Sequence, residues 1–579
     1  MVDPRRHHPR SLSQARNRIH DVDETTPLVH AGSIVTTDYQ TNITGPKDPE
    51  RGTDGEEEVL IGATKTKSVT ATISILLIGV FISQADTSLV LATYGKISSE
   101  FNDLERGSWL LSSYMLAMCV SQPLFGKLSD IYGRKMCLLA AYLFFVVGTA
   151  GSGLGRSMNQ IIAARAVQGA GGAGMVCMVS ILLTDLLQFH EVALYRSYVN
   201  VVQTVGRSCG GVIGGFLAST IGWRWAFLAQ VPAVLLSIGL VFWRLEEPKR
   251  ARPENPNVTR NKLCRIDFIG AACMSLTILT ALFVLDTGGQ KYEWRHPVII
   301  ASTCIAVISG LIFYFYERDY ASEPIFPVKL LTSYVVVTSY ALLLLQNLSQ
   351  TALMFIIPIY FQTTRNATTE QAGAYLIPAV IGNAVGGLLT GSWIKRTGSY
   401  KIPTILASTS AAFSFTLLIL FWHGHTSIAG SFLITPAGFA TGVAHSAVFI
   451  GLTSGVSENN VAIAGSGLYL SGNIGGVTGV SAAAAAFQIT LRSGLKEALA
   501  GREDSESIIR KAISDIGFVQ RTEGTLHDLM IPVYIHATQR VLSLGLFISV
   551  IAFAVACISR EKNLLHKPKE QDTEERPYA

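Results

Sequence analysis

Asp86 stands in "FISQADTSLVLATYGKI" (residues 81–97), a run otherwise apolar enough to lie in lipid. A carboxylate there is expensive unless a partner or an aqueous cavity receives it, and such groups are functional-site candidates by default. Its chemistry is reversible binding of a proton or a cation. Arg165, in "IIAARAVQGAGGAG" (161–174), is a partner at matching depth, because the two runs cross in opposite directions and both residues fall in the same outer half. Three readings stand side by side: a structural Asp–Arg pair, a proton-titrating carboxylate, and a direct ligand for a cationic substrate. Arg207, near the middle of the run containing "GRSCGGVIGG" (206–215), complicates them. If it neutralises Asp86 permanently, the cationic-substrate reading weakens. Gln84, Gln346, Asn347, Tyr360, Gln362, His445, Tyr469 and Asn473 are further polar groups in or at the ends of apolar runs. Each suits the lining of a central cavity; taken singly, each more often serves as a hydrogen bond between helices.

The elements that must position these residues follow from composition. The chain has 579 residues, 49% hydrophobic and 15% charged, against about 25% charged in a soluble protein. Fourteen runs, from 70–94 to 540–559, approach the roughly 20 apolar residues that cross a bilayer as helix. The expected class is an all-α polytopic membrane protein in contact with the lipid bilayer. With fourteen spans both termini share a side. The short loops on that side hold Lys127, Arg134, Lys135, a cluster from Arg244 to Arg265, and Lys395, Arg396 and Lys401. Opposite loops hold fewer basic residues, so both termini are expected in the cytosol. The net charge of +5 is spread over loops and does not suggest nucleic acid.

Cys119, Cys137, Cys177, Cys209, Cys273, Cys304 and Cys557 fall in or beside spans and Cys264 in a cytosolic loop. That placement reads as packing and not as a disulfide set. Asn366, in "NAT", is the one glycosylation sequon in an expected non-cytosolic loop, and it lies close to a span. Residues 1–68 are polar and without periodicity, the pattern of a disordered cytosolic tail. Within them "DETTPLV" places acidic residues before Leu28 and Val29, resembling an acidic dileucine sorting signal for vacuole or lysosome; an arbitrary polar tail explains it equally well.

An internal repeat is visible. "GKLSDIYGRK" (126–135) follows the second run and "GSWIKRTGSYK" (391–401) the tenth, with Gly126 to Gly133 and Gly391 to Gly398 at the same spacing. The expected organisation is a six-helix half (69–245), a cytosolic linker with two additional helices (246–330), and a second six-helix half (331–560). The second half contains a long non-cytosolic loop (489–539), and a tail follows (561–579). Duplicated halves around a midplane site are common among secondary transporters. In the first loop Asp130 sits among Lys127, Arg134 and Lys135, so ion pairs there can form in one conformation and break in another, as a gate requires. Asp185 near the inner end of the fourth run reads as a contact of that gate.

"GKLSDIYGRK" closely resembles the signature loop of the major facilitator superfamily. Further matches come in that family's order. "IIAARAVQGAGGAG", with Arg165 and Gln168, is similar to its proton-coupling helix, where the Arg is implicated in proton transfer. "GRSCGGVIGG" resembles the antiporter motif of drug:proton exchangers, with Gly206, Gly210, Gly214 and Gly215 for close helix packing and Gly211 where a proline is usual. "GWRWAFLAQVP" (222–232), "EPIFPVKLL" (323–331), "IPIYFQ" (357–362) and "QADTSLVLA" look like the fourteen-span drug:proton antiporter branch. "FLAQVP" with the "DETTPLV" tail looks most like fungal vacuolar basic amino acid transporters. The resemblance implies a major facilitator fold of fourteen helices, a monomer, and proton-coupled exchange of a small molecule, with basic amino acids moved from cytosol into the vacuole. A plasma-membrane exporter of drugs or secondary metabolites shares the same machinery. A transport-dead nutrient sensor fits less well, because the coupling residues are all present. No phosphate-cradling loop with a soluble nucleotide domain and no clustered Cys/His metal site stands out, so neither an enzyme nor a cofactor is expected.

Overall fold

The computed structural model describes residues 54–561 apart from 102, 104–105, 188, 246–264, 266, 289–291, 322, 425, 458–459, 501–503 and 515, with side chains from Thr70 onward except at 189–190, 369–370 and 514. The "DETTPLV" stretch, Cys264 and residues 562–579 lie outside the described residues. The first group of helices is α1 (Asp54–Glu100), α2 (Trp109–Tyr132), α3 (Arg134–Leu154), α4 (Met158–Leu186), α5 (Phe189–Thr220), α6 (Trp223–Leu228) and α7 (Gln230–Arg244). A hairpin of α8 (Phe268–Thr287) and α9 (Pro297–Asp319) follows. The second group is α10 (Tyr334–Arg365), α11 (Thr369–Ala374), α12 (Ile377–Thr397), α13 (Lys401–Phe421), α14 (Thr435–Gly455), α15 (Val461–Ala498), α16 (Ser505–Ser514), α17 (Ile516–Arg521) and α18 (Thr525–Ile558).

α1 begins at Asp54, inside the stretch 1–68 expected to be unstructured. Among the described residues twelve helices are long and apolar enough to cross a membrane, against the fourteen runs expected. α2 and α5 are the two outside that set. They have sufficient length, 24 and 32 residues. Ser112, Ser113, Ser121 and Gln122 in α2, and Arg196, Asn200, Gln203 and Arg207 in α5, dilute their apolar character. Several of these polar groups carry the contacts described below.

The hairpin lies at the periphery. α8 packs Met274, Ile278 and Leu282 against Leu116 and Cys119 of α2, beside Ile474 and Val477 of α15. α9 leaves Ile305, Val307, Ile308, Leu311 and Ile312 exposed, the all-round apolar surface of a helix bathed in lipid. The segment 489–539, expected as a connecting loop, is largely helical. α15 continues to Ala498, α18 starts at Thr525, and α16 and α17 lie between them. Ala512 and Val519 are buried in the second group's core. Tyr534 Oη donates to the Ala512 carbonyl at 2.6 Å, and Gln520 Nε2 donates to the carbonyls of Gln362 and Ala367 at 2.9 and 3.1 Å. Amphipathic spacing of Ile508, Ile509, Ala512 and Ile513, hidden among charges, drives that docking. The seven described cysteines are free.

Candidate functional site

Asp86 is completely buried, and its carboxylate is fully engaged. Arg165 Nη1 donates to Asp86 Oδ2 at 2.6 Å. Gln168 Nε2 and Gln230 Nε2 donate to Oδ1 at 2.9 and 3.2 Å. Arg165 is equally buried; it also donates through Nη1 to Gln168 Oε1 at 2.6 Å and through Nε to the Leu110 carbonyl at 3.1 Å. Its guanidinium lies over the Tyr114 ring at 4.3 Å from the centroid. The backbone reason is simple: Arg165 and Gln168 are one helical turn apart on α4, so both reach the same point on α1. A charge pair so far from water persists only with close geometry and further hydrogen bonds; Asp86 accepts three, from Arg165, Gln168 and Gln230, while Arg165 Nη2 finds no partner among the described residues. Asp86 therefore has no oxygen open to a substrate in this conformation and is held in an ion pair with Arg165. Gln230 is the ligand that sequence reasoning missed. The available signal is the polar side chain that opens α7 within the apolar "FLAQVP" run.

Arg207 does not pair with Asp86. Its Nε donates to Gln84 Oε1 at 2.6 Å, and the question of whether it neutralises the acid is answered by that separate partner. The packing that brings α5 to α1 rests on small residues. Gly206 faces the Phe81 carbonyl, Gly210 the Ala85 carbonyl and Ser88 hydroxyl, and Gly214 the Leu89 side chain. Gly215, expected on the same strip, faces open space, and Gly211 makes only a loose approach to Ser88. The strip is the i, i+4, i+8 line, and Gly215 lies one residue off it. Gly210→Leu drives a side chain into the Ala85 backbone carbonyl and the Ser88 hydroxyl. It should cost at least about 1–3 kcal/mol, read as a lower unfolding temperature of the purified protein; the same change at Gly215 should leave that temperature in place.

The "GKLSDIYGRK" loop is a compact ion cluster. Arg134 donates through Nη1 to Asp130 Oδ1 at 2.5 Å and Ser129 Oγ at 2.7 Å, and through Nε to Asp185 Oδ2 at 2.9 Å. Gly133, with φ 95°, makes the turn between α2 and α3, a conformation costly for any residue with a Cβ. Lys135 Nζ donates to the Phe242 carbonyl at 2.8 Å. Lys127 pairs with Glu323 at 3.6 Å, and Arg265 reaches the same carboxylate at 2.9 Å. Burial raises the Glu323 pKa, but the two cations outweigh it and hold the group below its usual range. The repeat loop is built alike. Gly398 turns with φ 68°, and Lys395, four residues after Gly391 as Asp130 is after Gly126, pairs with Glu191 at 3.9 Å.

At this end of the molecule the two helix groups meet. Gly126 packs on Ser466 and Ala462 of α15, and Gly391 on Ala193 and Ser197 of α5. Ser197 Oγ and Ser446 Oγ are 3.2 Å apart, and Asn200 Nδ2 donates to Asn383 Oδ1 at 2.7 Å. Asn473 Nδ2 donates to Gln122 Oε1 at 3.0 Å, and the Ser180 and Tyr469 hydroxyls are in contact. Arg196 is 2% exposed and has no carboxylate partner among the described residues; it donates to Ser180 Oγ at 2.8 Å beneath the rings of Phe449 and Tyr469. At the opposite end the apolar clusters stay separate, one around Trp223 and Phe227, the other around Tyr360, Phe361 and Trp422.

The remaining candidates divide. His445 Nε2 and Asn347 Oδ1 are 3.2 Å apart, and Gln346 Nε2 donates to Thr441 Oγ1 at 3.4 Å. Tyr360 is 1% exposed, stacked on Trp422 and bonded to Thr426 Oγ1, so it belongs to the second group's core and not to a cavity lining. Asn473 bridges the groups through Gln122 instead of lining a pocket alone. Arg196 and Asn383 were not anticipated, since each looks locally like an isolated polar residue on a span.

The Major Facilitator Superfamily profile matches residues 76–480. This chain belongs to the major facilitator superfamily. It is a multi-pass membrane transporter and not an enzyme. The vacuolar membrane amino acid uptake transporter fnx2 of Schizosaccharomyces pombe is 30% identical over 88% of this chain and 87% of its own length. The multidrug resistance protein fnx1 of the same yeast is 30% identical over 83% and 90%, and vacuolar basic amino acid transporter 2 of Saccharomyces cerevisiae 28% over 80% and 98%. Among solved structures, the proton:xylose symporter XylE superposes with a TM-score of 0.54 at 15% identity, over 86% of this chain and 97% of that one. That likeness concerns the fold alone.

Proposed function

We propose that this superfamily member is a proton-coupled antiporter of fourteen spans, α2 and α5 included, moving basic amino acids from the cytosol into the vacuole. The observation that carries the coupling mechanism is the Asp86–Arg165 pair, sealed in the first helix group with Gln168 and Gln230. A proton arriving at Asp86 removes the counter-charge of Arg165 and leaves a buried guanidinium unpaired, an unfavourable state that a conformational change relieves. The loops expected in the cytosol lie at the end where the two groups are closed on each other, held by Asp130, Arg134 and Asp185 and by the repeat loop. The conformation thus faces the lumen, where an acidic compartment supplies the proton. Asp86 acts as proton carrier, and the substrate binds elsewhere in the cavity, since both carboxylate oxygens are taken. The vacuolar direction and the amino acid class draw on the relatives fnx2 and vacuolar basic amino acid transporter 2.

A second reading, drug or metabolite efflux at the plasma membrane, is favoured by the equal identity to fnx1. ATP-dependent uptake of labelled Lys, Arg and His by vacuolar vesicles, with and without this protein, separates the two. A clear excess with the protein is expected. No excess, together with resistance of whole cells to toxic compounds, would transfer the assignment to efflux.

A further inference from the structure

Arg207 is a guanidinium in the middle of a long apolar helix, exposed and without an ion-pair partner among the described residues. Exposure to lipid at that depth is untenable for a cation, so its open face must look into a water-filled space. Helical periodicity says which one. Arg207 is seven residues after Asn200 and eleven after Arg196, so all three share one face of α5. Asn200 touches Asn383 of α12, and Arg196 touches Phe449 and Tyr469 of α14 and α15. Two turns further along, roughly 10 Å by the helical rise, Arg207 on the same face makes no hydrogen bond or ion pair with the second group among the described residues; its partner is Gln84 of α1. His445 of α14 remains within electrostatic reach of both arginines. Arg207 therefore projects into the cleft between the two groups, where they begin to separate. Gln84 takes only Nε, which steers the two terminal nitrogens outward as a free fork.

We infer that Arg207 is the carboxylate receptor of the transport cavity, so the transported molecule carries a carboxylate group. A planar fork with two parallel N–H donors matches a carboxylate in bidentate fashion. This rests on the amino acid reading above and deepens it: the α-carboxylate is the recognised element, and the cationic side chain points away from Arg207. Arg207 also disfavours lipophilic cations lacking an acid, because a positive ligand would be forced against an uncompensated guanidinium.

The test uses the full chain in vacuolar vesicles. Labelled lysine uptake is competed with arginine and with cadaverine, which is lysine without its carboxylate. For the unmodified protein, cadaverine should compete at least about tenfold more weakly than arginine, equivalent to about 1.4 kcal/mol. Arg207→Gln should raise the lysine KM by a similar factor and abolish that preference, while Arg207→Lys should keep part of it. A merely structural Arg207 would lower the amount of active protein without changing the preference. Equal competition by cadaverine in the unmodified protein, or an unaltered preference in Arg207→Gln, overturns the assignment. If no amino acid accumulates, the amino acid reading fails separately. Uptake of fluorescein, which bears a carboxylate, against rhodamine 6G, its esterified cationic counterpart, then decides. Preference for fluorescein lost in Arg207→Gln upholds the receptor; equal handling of the two dyes rejects it.

Discussion

Asp86→Asn is expected to abolish proton-driven accumulation while leaving exchange of substrate across the membrane measurable. The carboxamide preserves the size of the side chain and some hydrogen bonding to Gln168 and Gln230. It cannot be protonated and deprotonated, and it leaves Arg165 buried without a counter-charge. Removing one partner of a buried pair costs about 3–5 kcal/mol, so lower abundance is expected as well. Two measurements keep these effects apart. Pre-loaded vesicles report exchange, which needs no proton; accumulation under a pH gradient reports coupling. The double variant Asp86→Asn with Arg165→Gln removes the orphaned charge and should recover abundance but not accumulation. Accumulation that still follows the pH gradient in Asp86→Asn would remove this residue from the coupling mechanism.

A disulfide between Ser197→Cys and Ser446→Cys should stop transport completely and reversibly. Their hydroxyls lie 3.2 Å apart, one on α5 and one on α14, so the two positions come within reach of disulfide geometry. The bond would tie the two helix groups together at the end carrying the basic loops. A transporter that alternates by separating these ends is then trapped. Oxidation of the double variant should reduce uptake more than about tenfold, as alternating access requires the ends to separate, with recovery on reduction. Each single cysteine variant, oxidised in parallel, should retain uptake. Undiminished transport by a demonstrably cross-linked double variant would show that this contact does not open in the cycle.

The helical membrane class was legible because lipid leaves so few solutions. Runs of apolar residues long enough to span must be helices, since no water is present to satisfy backbone groups. The signature loop was equally legible, because a turn with φ 95° at Gly133 and an ion cluster around Arg134 need particular residues at close spacing. α2 and α5 show the limit of that signal: their polar residues are matched by partners on other helices, and composition alone cannot display a distant partner. The 489–539 segment shows another, since its apolar positions are separated by charges and acquire meaning only when α16 and α17 dock on the second group.

Sequence by itself determined that Asp86 and Arg165 are intramembrane charges at one depth, and that a glycine line on α5 permits close approach. Depth and periodicity are one-dimensional properties of a helix, so the chain alone states them. Only the tertiary structure decided between Arg165 and Arg207 as partner of Asp86, brought in Gln230 from α7, and withdrew Tyr360 into the core. Those choices depend on the rotation of each helix about its axis. That rotation is set by packing against neighbours hundreds of residues away: the contact of Gly210 with Ala85 aims Arg207 at Gln84 and the cleft, and leaves Asp86 to Arg165.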